Sequence, residues 1–383
     1  MSLDIESHLL PRRSSFRSRT FWFIAIFISI IFILVITPLP DQYDKNRDAL
    51  VEHISEHISE TAKDNILDHL PGMGHHDNKA EAIQQEGMHS KYAFATYLAG
   101  SDKEVPYEQD YYFIATRILA YQLLHAQETK SRDREIPFIV MVTDKVPERQ
   151  QTRLRKDGAV VIQVPHITSS WAHPGWEGWS DIYTKLRLWE LVQFDRVCFL
   201  DVDHELTGPL DGIFNDPAVQ VQQTRNNQSN LRDDEAPLPS EFVMASVPET
   251  NHEHGYPPKD EANDFPNINY MNAGFFVLKP DVKMLEYYLS VLNIEDRFDS
   301  SLMEQNLLNY AHRRESEGGN IPWMQLGTQW NIHYPSIKDV EGGVKSVHEK
   351  WWGPEKEDMS QWMAAWRWRM EGYYEAKDQM FSG

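Results

Sequence analysis

Arg196-Val197-Cys198-Phe199-Leu200-Asp201-Val202-Asp203 is the stretch that decides the fold. Its apolar, β-branched and aromatic run reads as a buried strand, and it stops abruptly at two carboxylates. In an open α/β sheet, ligands bind in the crevice beyond the carboxyl ends of the strands. If the strand continues extended, alternation sends Asp201 and Asp203 to the same side and Val202 to the other. Two acids aimed at one point need a proton or a cation between them. A hard divalent ion, Mg²⁺ or Mn²⁺, bridging to substrate phosphates answers that need. The competing explanation is a solvated turn, common in a chain with 58 Asp and Glu. The apolar strand ahead of the acids argues against it, because charge at the end of a buried strand is costly without a partner.

Working outward, the flanking segments alternate strand and helix. Lys91 to Leu98, Pro137 to Val142 and Val160 to Val164 read as strands, with helical patterns at Asp110 to Gln127 and Pro147 to Lys156 between them. Right-handed crossovers turn that order into a mostly parallel, Rossmann-like central sheet. Neither a G-x-G-x-x-G nor a Walker loop follows the first strand, which excludes both phosphate-cradling fingerprints. Asp181 to Leu191 reads as a helix carrying Lys185 and Arg187, which either neutralise phosphate in the crevice or face solvent. Val221 to Pro266 loses periodicity and reads as a long irregular insertion. Asn269 to Leu278 is a further strand, and Ser301 to His312 a helix with Glu304, Gln305 and Asn306 at its start. His348, beside Trp351 and Trp352, reads either as a packed core residue or as a third metal ligand.

The ends of the chain are different in kind. Four arginines precede an apolar run from Phe21 to Ile36, interrupted only by Ser29. The run suits a single helix across a thin membrane better than a cleaved signal peptide, since no small-x-small site follows. The positive flank predicts a cytoplasmic tail over 1–20, a transmembrane anchor over 21–39 and a lumenal remainder, with a polar, histidine-rich stem over 40–88. A folded domain is expected over 89–355 and a polar, aromatic tail over 356–383. The formal charge of −21 excludes a nucleic-acid partner, which needs a basic surface. Cys198 is the single cysteine of the 383 residues, so no intrachain disulfide forms.

Taken in order, Tyr183 to Asp203, Met271 to Val277, Glu304 to Asn309, Trp330-Asn331 and His348 resemble the glycogenin-like family 8 retaining glycosyltransferases, and most of all fungal Golgi members similar to N-acetylglucosaminyltransferases. The resemblance implies a GT-A fold, a UDP-sugar donor carrying GlcNAc or glucose, Mn²⁺ (or Mg²⁺), a glycan or glycoconjugate acceptor and a Golgi membrane location. It implies that Asp201, Asp203 and His348 bind the metal, and that Ala95, Thr96 and Tyr97 line the uridine pocket. Lys185 would face the pyrophosphate or the donor sugar, Asn272 and Gly274 would flank donor and acceptor, Gln305 would lie beneath the anomeric carbon, and Lys350 would contact phosphate. The chain departs from the family at Val202, Glu304 and Asn306, and its ending is compressed to His348-Glu349-Lys350-Trp351. A D-x-D phosphatase and a catalytically silent sugar-binding protein are the rival classes.

Overall fold

The computed structural model describes residues 90–380 apart from 102, 174, 176–180 and 231. The anchor expected over 21–39, the stem and the cytoplasmic tail lie outside the described residues, and among those described no helix is long and apolar enough to cross a membrane.

In chain order the domain opens with β1 (Tyr92–Leu98), α1 (Tyr111–Leu124), β2 (Phe138–Val142), α2 (Glu148–Asp157) and β3 (Val160–Gln163). The helix α2 stops at Gly158, which takes the left-handed conformation (φ 109°) that a side chain would resist. A 3-10 helix, Ile182–Glu190, leads into β4 (Arg196–Leu200) and β5 (His204–Leu206). The stretch expected to be an irregular insertion contains three strands, β6 (Gln222–Gln223), β7 (Glu241–Phe242) and β8 (Met244–Pro248). Then come β9 (Met271–Leu278), α3 (Val282–Leu292), α4 (Met303–Ala311), β10 (Met324–Gln325), β11 (Ile332–His333), α5 (Ile337–Gly342), β12 (Ser346–His348) and α6 (Glu357–Met380).

Seven strands form the central sheet in the order β10-β8-β9-β4-β1-β2-β3. Its mostly parallel character matches the GT-A expectation: only β9 runs against the others, antiparallel to both β4 and β8. Alternation along β1 and β4 divides the core between the two faces. Phe94, Leu98, Cys198 and Leu200 pack beneath α1 and α6, while Ala95, Tyr97, Val197 and Phe199 pack against α3, α4 and the 3-10 helix. Strands covered on both faces read as continuous apolar runs, which is why β1, β2 and β4 are visible in the sequence. β8 escaped because its run is short and bounded by polar chain.

The C-terminal stretch expected to be a tail is a 24-residue helix. Met359, Met363, Trp366, Met370 and Tyr374 recur at helical spacing and are buried against the domain. Asp157, at the end of α2, accepts from Arg117 at 2.7 Å and from Arg153, and Arg153 also reaches Asp378 on α6, tying the last helix to α1 and α2.

A second three-stranded sheet, β11-β12-β5, sits beyond the end of β4. Gln122 on α1 holds it in place by bracketing the backbone of Leu206, donating to its carbonyl at 3.2 Å and accepting from its N–H at 2.9 Å. Nearby, His254 of the insertion lies 3.4 Å from Asp339, whose side chain also caps α5 through Ser336. Burial by itself favours the neutral imidazole, but the Asp339 carboxylate outweighs it and holds His254 above the usual histidine range. The stability this charge contributes is complete below about pH 6.5, where the unfolded imidazole is also protonated, and is lost as pH rises through the folded-state value. His254→Gln should therefore flatten the fall in melting temperature from about pH 6.5 upward; a parallel decline in both proteins would show that the pair contributes nothing.

Candidate active site

The two acids after β4 do not stay extended. The chain turns at once, with His204 N–H donating to the Asp201 carbonyl at 3.2 Å, and the carboxylates diverge. The expectation that both point the same way held only for a continuing strand; the turn removes the alternation.

Asp201 goes to Lys185. The lysine, carried by the 3-10 helix, is only 2% exposed and reaches Asp201 Oδ1 at 2.9 Å, Glu304 Oε1 at 2.6 Å and the Ala273 carbonyl at 3.3 Å. Burial disfavours the ammonium, but the two carboxylates win and hold its pKa above the ordinary lysine value. In the structure the ammonium is paired with both carboxylates. It is a positioning residue that joins β4, β9 and α4.

Asp203 goes the other way, toward the small sheet. Its Oδ1 lies 3.2 Å from His348 Nε2, and Lys350 Nζ stands 3.7 Å from its Oδ2. Burial works against the Asp203 carboxylate, yet the His348 imidazole beside it, with Lys350, holds its pKa far below the usual range. Strand pairing supplies a residue that the sequence reading missed. β5 and β12 run antiparallel with His204 opposite His348, and β11 runs parallel to β12 with His333 opposite His348. Three histidines therefore share one register, and their rings stack, 4.2 Å between the centroids of His204 and His348 and 4.7 Å between those of His348 and His333. The ligand atoms of Asp203, His204 and His348 all lie within 4.8 Å of one another. Asp201 does not belong to that cluster. Glu205, on the other face of β5, is buried with neither oxygen hydrogen-bonded among the described residues, and burial pushes its carboxyl well up.

Beside this cluster β9 supplies the floor. Asn272 Oδ1 accepts from the Gly274 N–H at 2.9 Å, and its Nδ2 donates to Glu249 at 2.9 Å. Glu249 also accepts from His333. Gln305, at the start of α4, accepts from the Ala273 N–H at 2.8 Å and donates to the Tyr270 hydroxyl at 3.2 Å. The structure thus gathers Asp201, Asp203, Lys185, Asn272, Gly274, Gln305, His348 and Lys350 at one sheet end. Ala95, Thr96 and Tyr97 are buried in β1, and the Tyr97 hydroxyl donates to the Asp181 carbonyl at 3.0 Å. Glu249, Tyr270 and Tyr112 were not singled out from the sequence. Burial and then the Asp203 and Asp201 charges push the Tyr112 hydroxyl up to about 12.

Gly274 has a steric reason. A Cβ there would stand 2.3 Å from His348 Cε1, and His348 is packed between two other rings, so it has little room to yield. Gly274→Ala should weaken metal binding by about 10- to 100-fold, the usual effect of displacing a group that orients a ligand. Calorimetric titration with Mn²⁺ checks this, and unchanged affinity would mean that His348 moves freely.

No known protein-family model matches the chain. Two uncharacterized proteins of Schizosaccharomyces pombe are each 30% identical to it, one over 274 residues (64% of this chain and 70% of that protein) and the other over 287 (67% and 72%). Galactinol synthase 6 of Arabidopsis thaliana is 22% identical over 221 residues, 57% of this chain and 60% of that enzyme. A solved galactosyltransferase in complex with donor and acceptor sugar analogues overlays with a TM-score of 0.40 at 14% identity, covering 72% of this chain and 95% of that one.

Proposed function

Since this chain belongs to the family 8-like retaining glycosyltransferases, we propose that it transfers a hexose or N-acetylhexosamine from a UDP-sugar to a glycan or glycoconjugate acceptor, with Mn²⁺ as the cofactor. The observation that carries the reading is the meeting of Asp203, His204 and His348 within 4.8 Å at the end of β4, beside Asn272 and Gln305. Glucose and N-acetylglucosamine are the sugars we favour, and the galactinol synthases among the relatives add galactose to the candidates.

The donor set suits a divalent ion: a buried carboxylate and two imidazoles, with His204 Nε2 and His348 Nδ1 lacking any hydrogen-bond partner among the described residues. Such an ion offsets the charge that grows on the departing diphosphate. Lys350, its side chain 49% exposed and next to Asp203, brings a second positive charge to the same place. Gln305 is held rigidly by the Ala273 N–H and the Tyr270 hydroxyl, which suits it to orient the donor's anomeric carbon. Front-face attack by the acceptor hydroxyl is favoured over a covalent intermediate. Gln305 is a poor nucleophile, Glu304 is buried on Lys185, and Glu249 is engaged by Asn272 and His333.

Nucleotide release from a panel of UDP- and GDP-sugars, with Mn²⁺ and with EDTA, tests the reading. Release from a UDP-hexose that EDTA abolishes is the expected result, and no release from any donor would refute it. We further propose that residues 21–39 anchor the protein in the Golgi membrane with the domain lumenal. Asn227, exposed in the sequon Asn227-Gln228-Ser229, would then carry a glycan. The mobility of the cellular protein should shift on endoglycosidase treatment and lose that shift in Asn227→Gln; a protein insensitive to the enzyme would argue against a lumenal domain.

A further inference from the structure

We propose that the stacked rings of His252, Tyr334 and His333, with Glu249 behind them, form the subsite for the acceptor, and that it takes a neutral glycan rather than an anionic one. This rests on the glycosyltransferase reading above and narrows its acceptor.

Three observations carry it. First, the rings make a continuous row from the surface to the centre. His252 stacks on Tyr334 and Tyr334 on His333, each pair with 3.8 Å between centroids, and His333 stacks on His348 at 4.7 Å. At the outer end the His252 side chain is 60% exposed. At the inner end Glu249 accepts from His333 and also from Asn272 on β9, at 2.9 Å. Second, the backbone departs from its ordinary conformation to build the row. His333 and Tyr334 are neighbours in sequence, and an extended chain would send their rings to opposite sides. Tyr334 instead takes the left-handed conformation (φ 55°), uncommon for a bulky residue, and its ring lies back over that of His333. Third, the polar groups of the row are only half committed. Glu249 fixes His333 Nδ1, and Glu355 fixes His252 Nδ1 at 2.6 Å. Among the described residues, neither Nε2 nor the Tyr334 hydroxyl has a hydrogen-bond partner.

A polyhydroxylated ligand suits such a row, because each imidazole is held at one nitrogen and offers the other to a hydroxyl. Charge then selects among glycans. Glu349 joins Glu249 and Glu355: its carboxylate accepts from the Glu355 N–H at 3.4 Å, and its own N–H donates to the Asp203 carbonyl at 3.1 Å. Among the described residues no lysine or arginine pairs with any of the three, whereas Lys350 stands beside Asp203. A uronate or phosphorylated acceptor would bring its charge against these acids, and a neutral sugar would not.

The test reads UDP release by the full chain from the UDP-hexose it turns over, with the methyl glycosides of glucose, galactose and mannose as acceptor probes, each beside its uronate. At least one neutral glycoside should accelerate release, and at least about tenfold more effectively than its uronate. Glu355→Gln should narrow that gap. Tyr334→Phe keeps the ring, and His252→Ala changes the exposed end of the row. Each should raise the KM for the glycoside about three- to tenfold, the loss of one hydrogen bond, and leave the KM for the donor within about twofold. A merely structural role would move both constants. A uronate preferred to its neutral partner, release that no glycoside accelerates, or a donor KM that rises as far as that of the acceptor overturns the subsite. UDP release to water in the same assay would then leave the proposed function standing. No release from any donor removes both.

Discussion

Asp203→Ala is expected to abolish measurable manganese binding and to lower sugar transfer by at least about a hundredfold. Two roles disappear together. The carboxylate is the single acidic member of the cluster, so its loss leaves an ion site with imidazoles alone and no charge to balance the cation. It also stands 3.2 Å from His348 and 3.7 Å from Lys350, so both side chains would lose the partner that holds them. Removing a group that only orients a ligand typically costs ten- to a hundredfold, and a charged ligand should cost at least as much. Calorimetry with Mn²⁺ and with UDP, read beside turnover, checks this. Wild-type affinity for both in the variant would remove Asp203 from the site and with it the proposed mechanism.

Lys185→Met is expected to destabilise the domain by about 3–5 kcal/mol, the cost of leaving a buried charge uncompensated. The lysine side chain is 2% exposed, and its two partners belong to different elements, Asp201 after β4 and Glu304 on α4. Without the ammonium, Glu304 is left buried beside another acid; burial and Asp201 already push its carboxyl up, with Lys185 opposing them. The methionine fills much of the volume, so the loss would come from electrostatics rather than a cavity. Adding Glu304→Gln should restore part of the loss, because the uncompensated acid goes with it. Denaturant unfolding of the single and double variants measures both steps. A single variant within about 1 kcal/mol of wild type would show that solvent already screens this network.

Much of the site was written in the chain, because the strands that carry it are buried on both faces. The apolar runs of β1, β2 and β4 need no knowledge of their neighbours, and β4 ends in acids whose cost demands a partner. Asn272 and Gly274 lie within β9 and Gln305 at the start of α4, and the roles expected of them came from the order of motifs that carries the family resemblance. The stripe from Met359 to Tyr374 was just as regular, yet a segment rich in charge was taken as a tail; its apolar face counts only once α1 is there to receive it. His204, Glu249 and Tyr270 gave no periodic signal, since each owes its place to a partner distant in sequence.

The sequence by itself determined the mostly parallel sheet, the acids at the carboxyl end of its central strand and the order of motifs along it, because hydrophobic periodicity and charge placement are local properties. Only the tertiary structure decided which acid meets which cation. The turn after Leu200 and the pairing of β5 with β12 are set by contacts between distant segments, and they send Asp201 to the buried lysine while bringing His204 and His348 to Asp203.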